Sequence, residues 1–90
     1  MKLSYDSAKN GSNIQKHGLS LAKASLLEWD TALEWIDGRK NYGEERRIAL
    51  VLMKQRLYCI VYIELKVGIR VISLRKANVR EVEKYEKENN

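Results

Sequence analysis

At 90 residues the chain holds material for one hydrophobic core, so a single domain over residues 1–90 with modest stability is expected. One cysteine excludes an intramolecular disulfide, one histidine beside it cannot complete a His/Cys zinc site, and no apolar run approaches the roughly 20 residues of a membrane helix; the expectation is a cytoplasmic protein with no metal and no cofactor. Seventeen Lys and Arg against twelve Asp and Glu leave a net charge of +5 and a pI near 9.4, which serves solubility and also favours encounter with nucleic acid or an acidic protein.

The opening MKLSYDSAKN has no apolar core of the kind a secretion signal needs. Asp6 can N-cap a first helix from about Ser7 to His17, with Gly18 where a left-handed residue ends a helix and Gly11 weakening the middle. Ser20 can cap a second short helix whose Leu21, Ala22, Ala24, Ser25 and Leu26 offer a face of small residues to a sheet. Leu33 to Ile36 reads as a short first strand, followed by the polar loop Asp37-Gly38-Arg39-Lys40-Asn41-Tyr42-Gly43. Arg46 to Met53 alternates, with Arg46, Ile48, Leu50 and Leu52 on one face and Arg47, Ala49, Val51 and Met53 on the other. Lys54-Gln55 turns the chain into Leu57 to Ile63, apolar on both faces and therefore central. Gly68 marks another turn, Ile69 to Arg75 is the last strand, and Asn78 with Glu81 forms a capping box for a C-terminal helix carrying Val82 and Tyr85. This order predicts an α+β fold: two N-terminal helices, a four-stranded antiparallel sheet and a C-terminal helix.

A basic domain of this kind meets a polyanion, which it can bind or, if it is RNA, also cut; cutting without a metal requires activation of the 2′-hydroxyl, stabilisation of the charged phosphorane and protonation of the leaving 5′-oxygen. Glu44-Glu45-Arg46-Arg47 places carboxylates and guanidiniums at a loop-to-strand junction, and Arg70 and Arg75 lie on the last strand. Their odd spacing sends those two to opposite faces unless a bulge intervenes, grouping Arg75 with Val71 and Ser73. Arg75 can contact a phosphate or pair with a carboxylate such as Glu44 or Glu81. Arg39, Lys40, Lys54 and Arg56 read as solvated charge. His17 can shuttle a proton near neutrality, or simply complement the carbonyl end of its helix. Tyr42, in the polar loop, is the better base-stacking candidate, because a chain without phenylalanine must use Trp35 and Tyr58 or Tyr62 as packing residues. Cys59, centred in an apolar strand, reads as an inert thiol.

Tyr5-Asp6, Lys9, Asn13 and Lys16-His17-Gly18, then Gly43-Glu44 and Arg46, then Ile72-Ser73, Arg75, Ala77 and Glu81 run in one order over nearly the whole chain. That series resembles the BrnT family, small ribonuclease toxins of bacterial toxin–antitoxin pairs with a fold similar to the RelE toxins. Tyr5 stands where the family often has tryptophan, and Tyr62-Ile63-Glu64-Leu65 has leucine where the family commonly has arginine. The resemblance implies an endoribonuclease with no cofactor; together with the reading of the charged and aromatic residues above, the expected site is drawn from His17, Glu44, Arg46, Arg70 and Arg75, with RNA contacts at Lys16, Tyr42 and Lys76. It also implies a BrnA-type antitoxin as partner, through which the complex reaches operator DNA. The rival expectation, suggested by Leu65, is a non-catalytic binding module.

Overall fold

A computed structural model describes residues 2–89. Helix α1 (Ser7–His17) starts where the Asp6 carboxylate accepts the Lys9 N–H at 3.0 Å and stops at Gly18, whose φ of +70° places it in the left-handed region. A 3₁₀ segment (Leu21–Leu26) follows, then strands β2 (Glu28–Ile36), β3 (Arg47–Met53), β4 (Arg56–Glu64) and β5 (Ile69–Lys76), and finally helix α2 (Val79–Glu88). The capping box of α2 forms as expected: Asn78 and Glu81 exchange side-chain and backbone bonds, both at 2.9 Å.

The sheet corrects the expected architecture. It has five strands and is mixed, because Leu3–Ser4 forms a strand, β1, that runs parallel to β5 and gives the order β1-β5-β4-β3-β2. A strand of two residues has no periodicity to read; its place depends on the distant bond from the Ile69 N–H to the Lys2 carbonyl and on Gly68. A Cβ at Gly68 would run into that carbonyl, and its φ of +90° also favours glycine. The second N-terminal helix is also corrected. Leu21–Leu26 closes i→i+3 bonds, Lys23 N–H to Ser20 and Leu27 N–H to Ala24, because the chain must become extended by Glu28. Strand β2 begins five positions before Leu33, but its pairing with β3 is irregular between Glu28 and Leu33. There the Thr31 hydroxyl donates to the Glu28 carbonyl and accepts the Leu52 N–H, which breaks the alternation that would have marked the strand.

Each face of the sheet carries its own core. Ala49, Val51, Ile60, Val71 and Leu74 are fully buried beneath Leu21 and Ala24 on the α1 side. On the other side Ile48, Leu50, Leu57 and Cys59 pack with Val82 and Tyr85 of α2. Along β5, Val61 pairs with Ser73 while Tyr62 pairs with Val71, leaving Ile72 as the extra residue of a bulge. The bulge overturns the parity reading. Arg70, opposite Ile63, and Arg75, opposite Cys59, now share the α2 face with Ser73, whereas Val71 and Leu74 point to the α1 core.

The edge of β5 beyond β1 is closed by one side chain. The buried Asn13 amide donates to the Leu74 carbonyl at 2.8 Å and accepts the Leu74 N–H at 3.1 Å, as a neighbouring strand would, and it also donates to the Leu19 carbonyl. Asn13 thus ties α1 to the strand that carries Arg75.

Candidate active site

The connection between β2 and β3 is organised around Asp37, the one acidic residue among the described residues that is buried. Its side chain has no exposed surface. One oxygen accepts the Arg39 backbone N–H at 3.1 Å and Arg39 Nε at 2.8 Å; the other accepts Arg39 Nη2 at 2.8 Å and the Tyr42 hydroxyl at 3.1 Å. The Asp37 N–H donates to the Arg46 carbonyl, so the loop is pinned where β3 begins. The Arg39 bonds, above all those to its side chain, hold the Asp37 carboxyl well below the usual carboxylate range and outweigh its burial; Arg39 is raised in return.

Arg46 lies over the Tyr42 ring at 4.1 Å and pairs with Glu44 at 3.2 Å, a contact chain that runs from Glu44 through Arg46, Tyr42 and Asp37 to Arg39. Across a basin of about 440 Å³ stands Arg75, held end-on by Glu81 through two bonds of 2.8 Å. Glu81 also belongs to the capping box, so the start of α2 fixes its carboxylate. The Arg75 bonds lower Glu81 and the Glu81 bonds raise Arg75, with Arg39's charge acting against Arg75 from across the basin. Ile48, Cys59 and Val61 form an apolar floor and Trp35 one wall. Burial pushes the Cys59 thiol up to about 11, which makes it a poor nucleophile, as its place in the strand suggested.

The expected site residues divide. Arg75 lines the basin, whereas Glu44, Arg46 and Tyr42 are not among its lining residues and connect to it through the contacts that lead to Asp37 and Arg39. Arg70 shares the face but is exposed and roughly 13 Å along the sheet from Arg75, four residues of strand β4 away. His17 and Lys16 line a separate hollow with Asn13, Ile72 and Ser73 where α1 meets the bulged edge of β5. Lys76, opposite Tyr58, belongs to the other face. Two residues of the basin were not singled out for it from the sequence: Arg39, read as solvated charge, and Asp37. Their only signal was an aspartate two residues before an arginine in a glycine-containing loop, where an aspartate commonly accepts the N–H two positions on. Among the described residues no group of three His, Cys, Asp or Glu is placed to hold a metal ion, and no helix is long and apolar enough to cross a membrane.

The span holding this whole arrangement, from Tyr5 to Glu81, matches the model of the family described as the ribonuclease toxin, BrnT, of type II toxin–antitoxin systems, over residues 5–81. The chain belongs to the BrnT family. No curated protein is significantly similar to it. Membership indicates a ribonuclease toxin of the type II toxin–antitoxin class, and Glu81, the carboxylate that holds Arg75, is the last residue of the BrnT match. The position where this BrnT chain carries Leu65 is outside the basin: Leu65 lines a hollow with Trp29, Glu34, Tyr62 and Glu64, away from Arg39 and Arg75.

Proposed function

We propose that this BrnT-family chain is a metal-independent endoribonuclease that cleaves RNA at the basin between the β2–β3 loop and the start of α2. Glu44, partly exposed beside Arg46, takes the proton of a ribose 2′-hydroxyl as its oxygen attacks the adjacent phosphorus. The O2′–P bond forms and the P–O5′ bond breaks, leaving a 2′,3′-cyclic phosphate and a 5′-hydroxyl. Arg75, in the basin, and Arg46, beside Glu44, stabilise the phosphorane. Water at the open rim protonates the leaving 5′-oxygen, since His17 lines another hollow and with Lys16 is better placed to hold the RNA backbone. Arg70 contributes charge to the same face. Growth arrest then follows from RNA cleavage and is relieved when a BrnA-type antitoxin covers the basin, the pair acting on operator DNA through the antitoxin.

The observation that carries this reading is the chain of contacts that joins Glu44 and Arg46, through Tyr42, Asp37 and Arg39, to the basin that Arg75 lines. The location of Leu65 outside that basin favours catalysis over the rival binding module. The test is incubation of purified, antitoxin-free protein with total RNA in EDTA, beside an Arg46→Ala/Arg75→Ala double variant. Cyclic-phosphate ends produced by wild type alone are expected. Intact RNA with folded wild type would overturn the proposal in favour of a binder or a nuclease that works only on the ribosome.

A further inference from the structure

The cleavage proposal requires two cationic groups and a carboxylate, but the basin holds more than that. Its floor is apolar, one wall is an indole, and its volume of about 440 Å³ exceeds what a phosphate alone would need. The Trp35 ring has Lys84 5.0 Å from its centroid and also borders the basin. Asp37, the only buried acid among the described residues, spends all four of its bonds on Arg39 and Tyr42. The bonds to Arg39 are made side-on through Nε and Nη2, which leaves Nη1 unengaged by Asp37. Two cations facing each other across one cavity call for an anion between them, and an apolar floor with an aromatic wall calls for a flat, largely apolar group.

We infer that the basin is a subsite for one unpaired nucleotide of single-stranded RNA, its base against Trp35 and the apolar floor and its phosphate between Arg39 and Arg75, with Asp37 as the positioning residue for Arg39. The inference rests on the RNA-cleaving reading and adds the strandedness of the substrate, because a paired base has to be unpaired and unstacked before it can enter the basin, a cost an unpaired base does not carry. Arg39 touches the substrate; Asp37 acts through Arg39.

The probe is a short single-stranded RNA protected throughout by 2′-O-methyl groups, so that binding is read without cleavage, with its duplex as comparator. Fluorescence anisotropy over a salt series is run on wild type, Arg39→Lys, Arg39→Gln, Asp37→Asn and Trp35→Leu, each shown by thermal melting to be folded. Trp35→Leu is expected to weaken single-strand binding roughly five- to a hundredfold at unchanged charge. Arg39→Gln is expected to reduce the slope of log K against log salt by about 0.7, the value for one phosphate on a single strand. Arg39→Lys keeps the charge and Asp37's partner, so it folds, but it loses the planar fork and should bind more weakly than wild type. Asp37→Asn gives the decisive sign. Removing a negative charge from a polyanion-binding protein should tighten binding if only net charge matters, whereas a freed Arg39 should weaken it. Wild-type affinity and salt slope in both Arg39 variants and Trp35→Leu, or tighter binding by Asp37→Asn, would overturn the subsite. If the Arg46→Ala/Arg75→Ala variant still abolished cleavage, that failure would leave the cleavage proposal standing. A wild type that neither binds nor cuts RNA would remove both.

Discussion

Two sets of arginine and carboxylate side chains lie on opposite faces of the sheet, and their stoichiometry differs. On the α1 face Arg47 has Glu34 at 3.5 Å, Glu45 at 4.0 Å and Glu64 at 3.3 Å; its Nε is buried without a hydrogen bond, and the neighbouring Tyr62 hydroxyl is pushed up to about 12, chiefly by burial. On the α2 face Arg39, Arg46 and Arg75 each have one carboxylate, from Asp37, Glu44 and Glu81. An arginine among three acids has its charge consumed by the fold. An arginine oriented by one acid keeps donors for a ligand while losing the rotamer freedom that binding would otherwise have to remove.

The sharpest way to break this comparison is to remove one arginine from each face. Arg75→Ala should lower the RNA cleavage rate by roughly a hundred- to a thousandfold, the usual effect of losing one transition-state donor. Arg47→Ala should leave cleavage by the folded protein within a few-fold of wild type and instead lower the melting temperature by roughly 5 °C or more. Paired cleavage rates and thermal melts decide it, and the opposite pattern would move the catalytic face to the α1 side.

Next in size is Asn13→Ala. It leaves both backbone groups of Leu74 without their partner in a buried setting, at about 2–4 kcal/mol. For a chain of this length that lowers the melting temperature by roughly 8 °C or more. A calorimetric melt within 2 °C of wild type would show that water replaces the amide and that α1 is not the closure of the β5 edge.

Much of this architecture is legible in the sequence itself. Asp6 and Gly18 bound α1, and alternation assigned both faces of β3 and β4 correctly, because strands buried on two sides leave a strong pattern. What escaped depended on partners distant in sequence. Strand β1 exists through the Lys2–Ile69 bond, and the hydroxyl of Thr31 disguises the start of β2. The bulge at Ile72 reversed the relation between Arg70 and Arg75, and no side-chain pattern announces a single inserted residue. Of the residues in the proposed site, Glu44, Arg46 and Arg75 are legible as charges at strand ends. Arg39 is not, since only the burial of Asp37 distinguishes it from the solvated loop charges beside it.

Acid should sharpen the contrast by acting on the α2-face carboxylates. Asp37 has a folded-state value held well below the roughly 3.9 of an unfolded aspartate. The stability it supplies is therefore fully present above about pH 4 and is lost as the pH falls toward the folded value. Glu81, also lowered, behaves in the same sense from its own unfolded value. Wild type should lose stability steadily below about pH 4, and Asp37→Asn, which cannot take up that proton, should have a shallower acid slope. Equal slopes in urea melts between pH 2.5 and 5 would show that the Asp37 network contributes nothing to folding.

The smallest effect expected is that of Tyr42→Phe, which separates the two uses of one side chain. The phenyl ring can still lie under Arg46, as Tyr42 does at 4.1 Å, but the hydroxyl bond to Asp37 is lost. Asp37 retains three donors, all from Arg39, so the variant should be less stable by only about 0.5–1.5 kcal/mol. The missing donor also raises the folded-state value of Asp37, moving the acid transition slightly upward in pH. Tyr42→Ala removes the stacking surface as well and should loosen Arg46, so it should reduce cleavage where Tyr42→Phe does not. Equal cleavage rates for these two variants would mean that Arg46 is positioned by Glu44 alone, and that the ring is part of the loop's fold rather than of its chemistry.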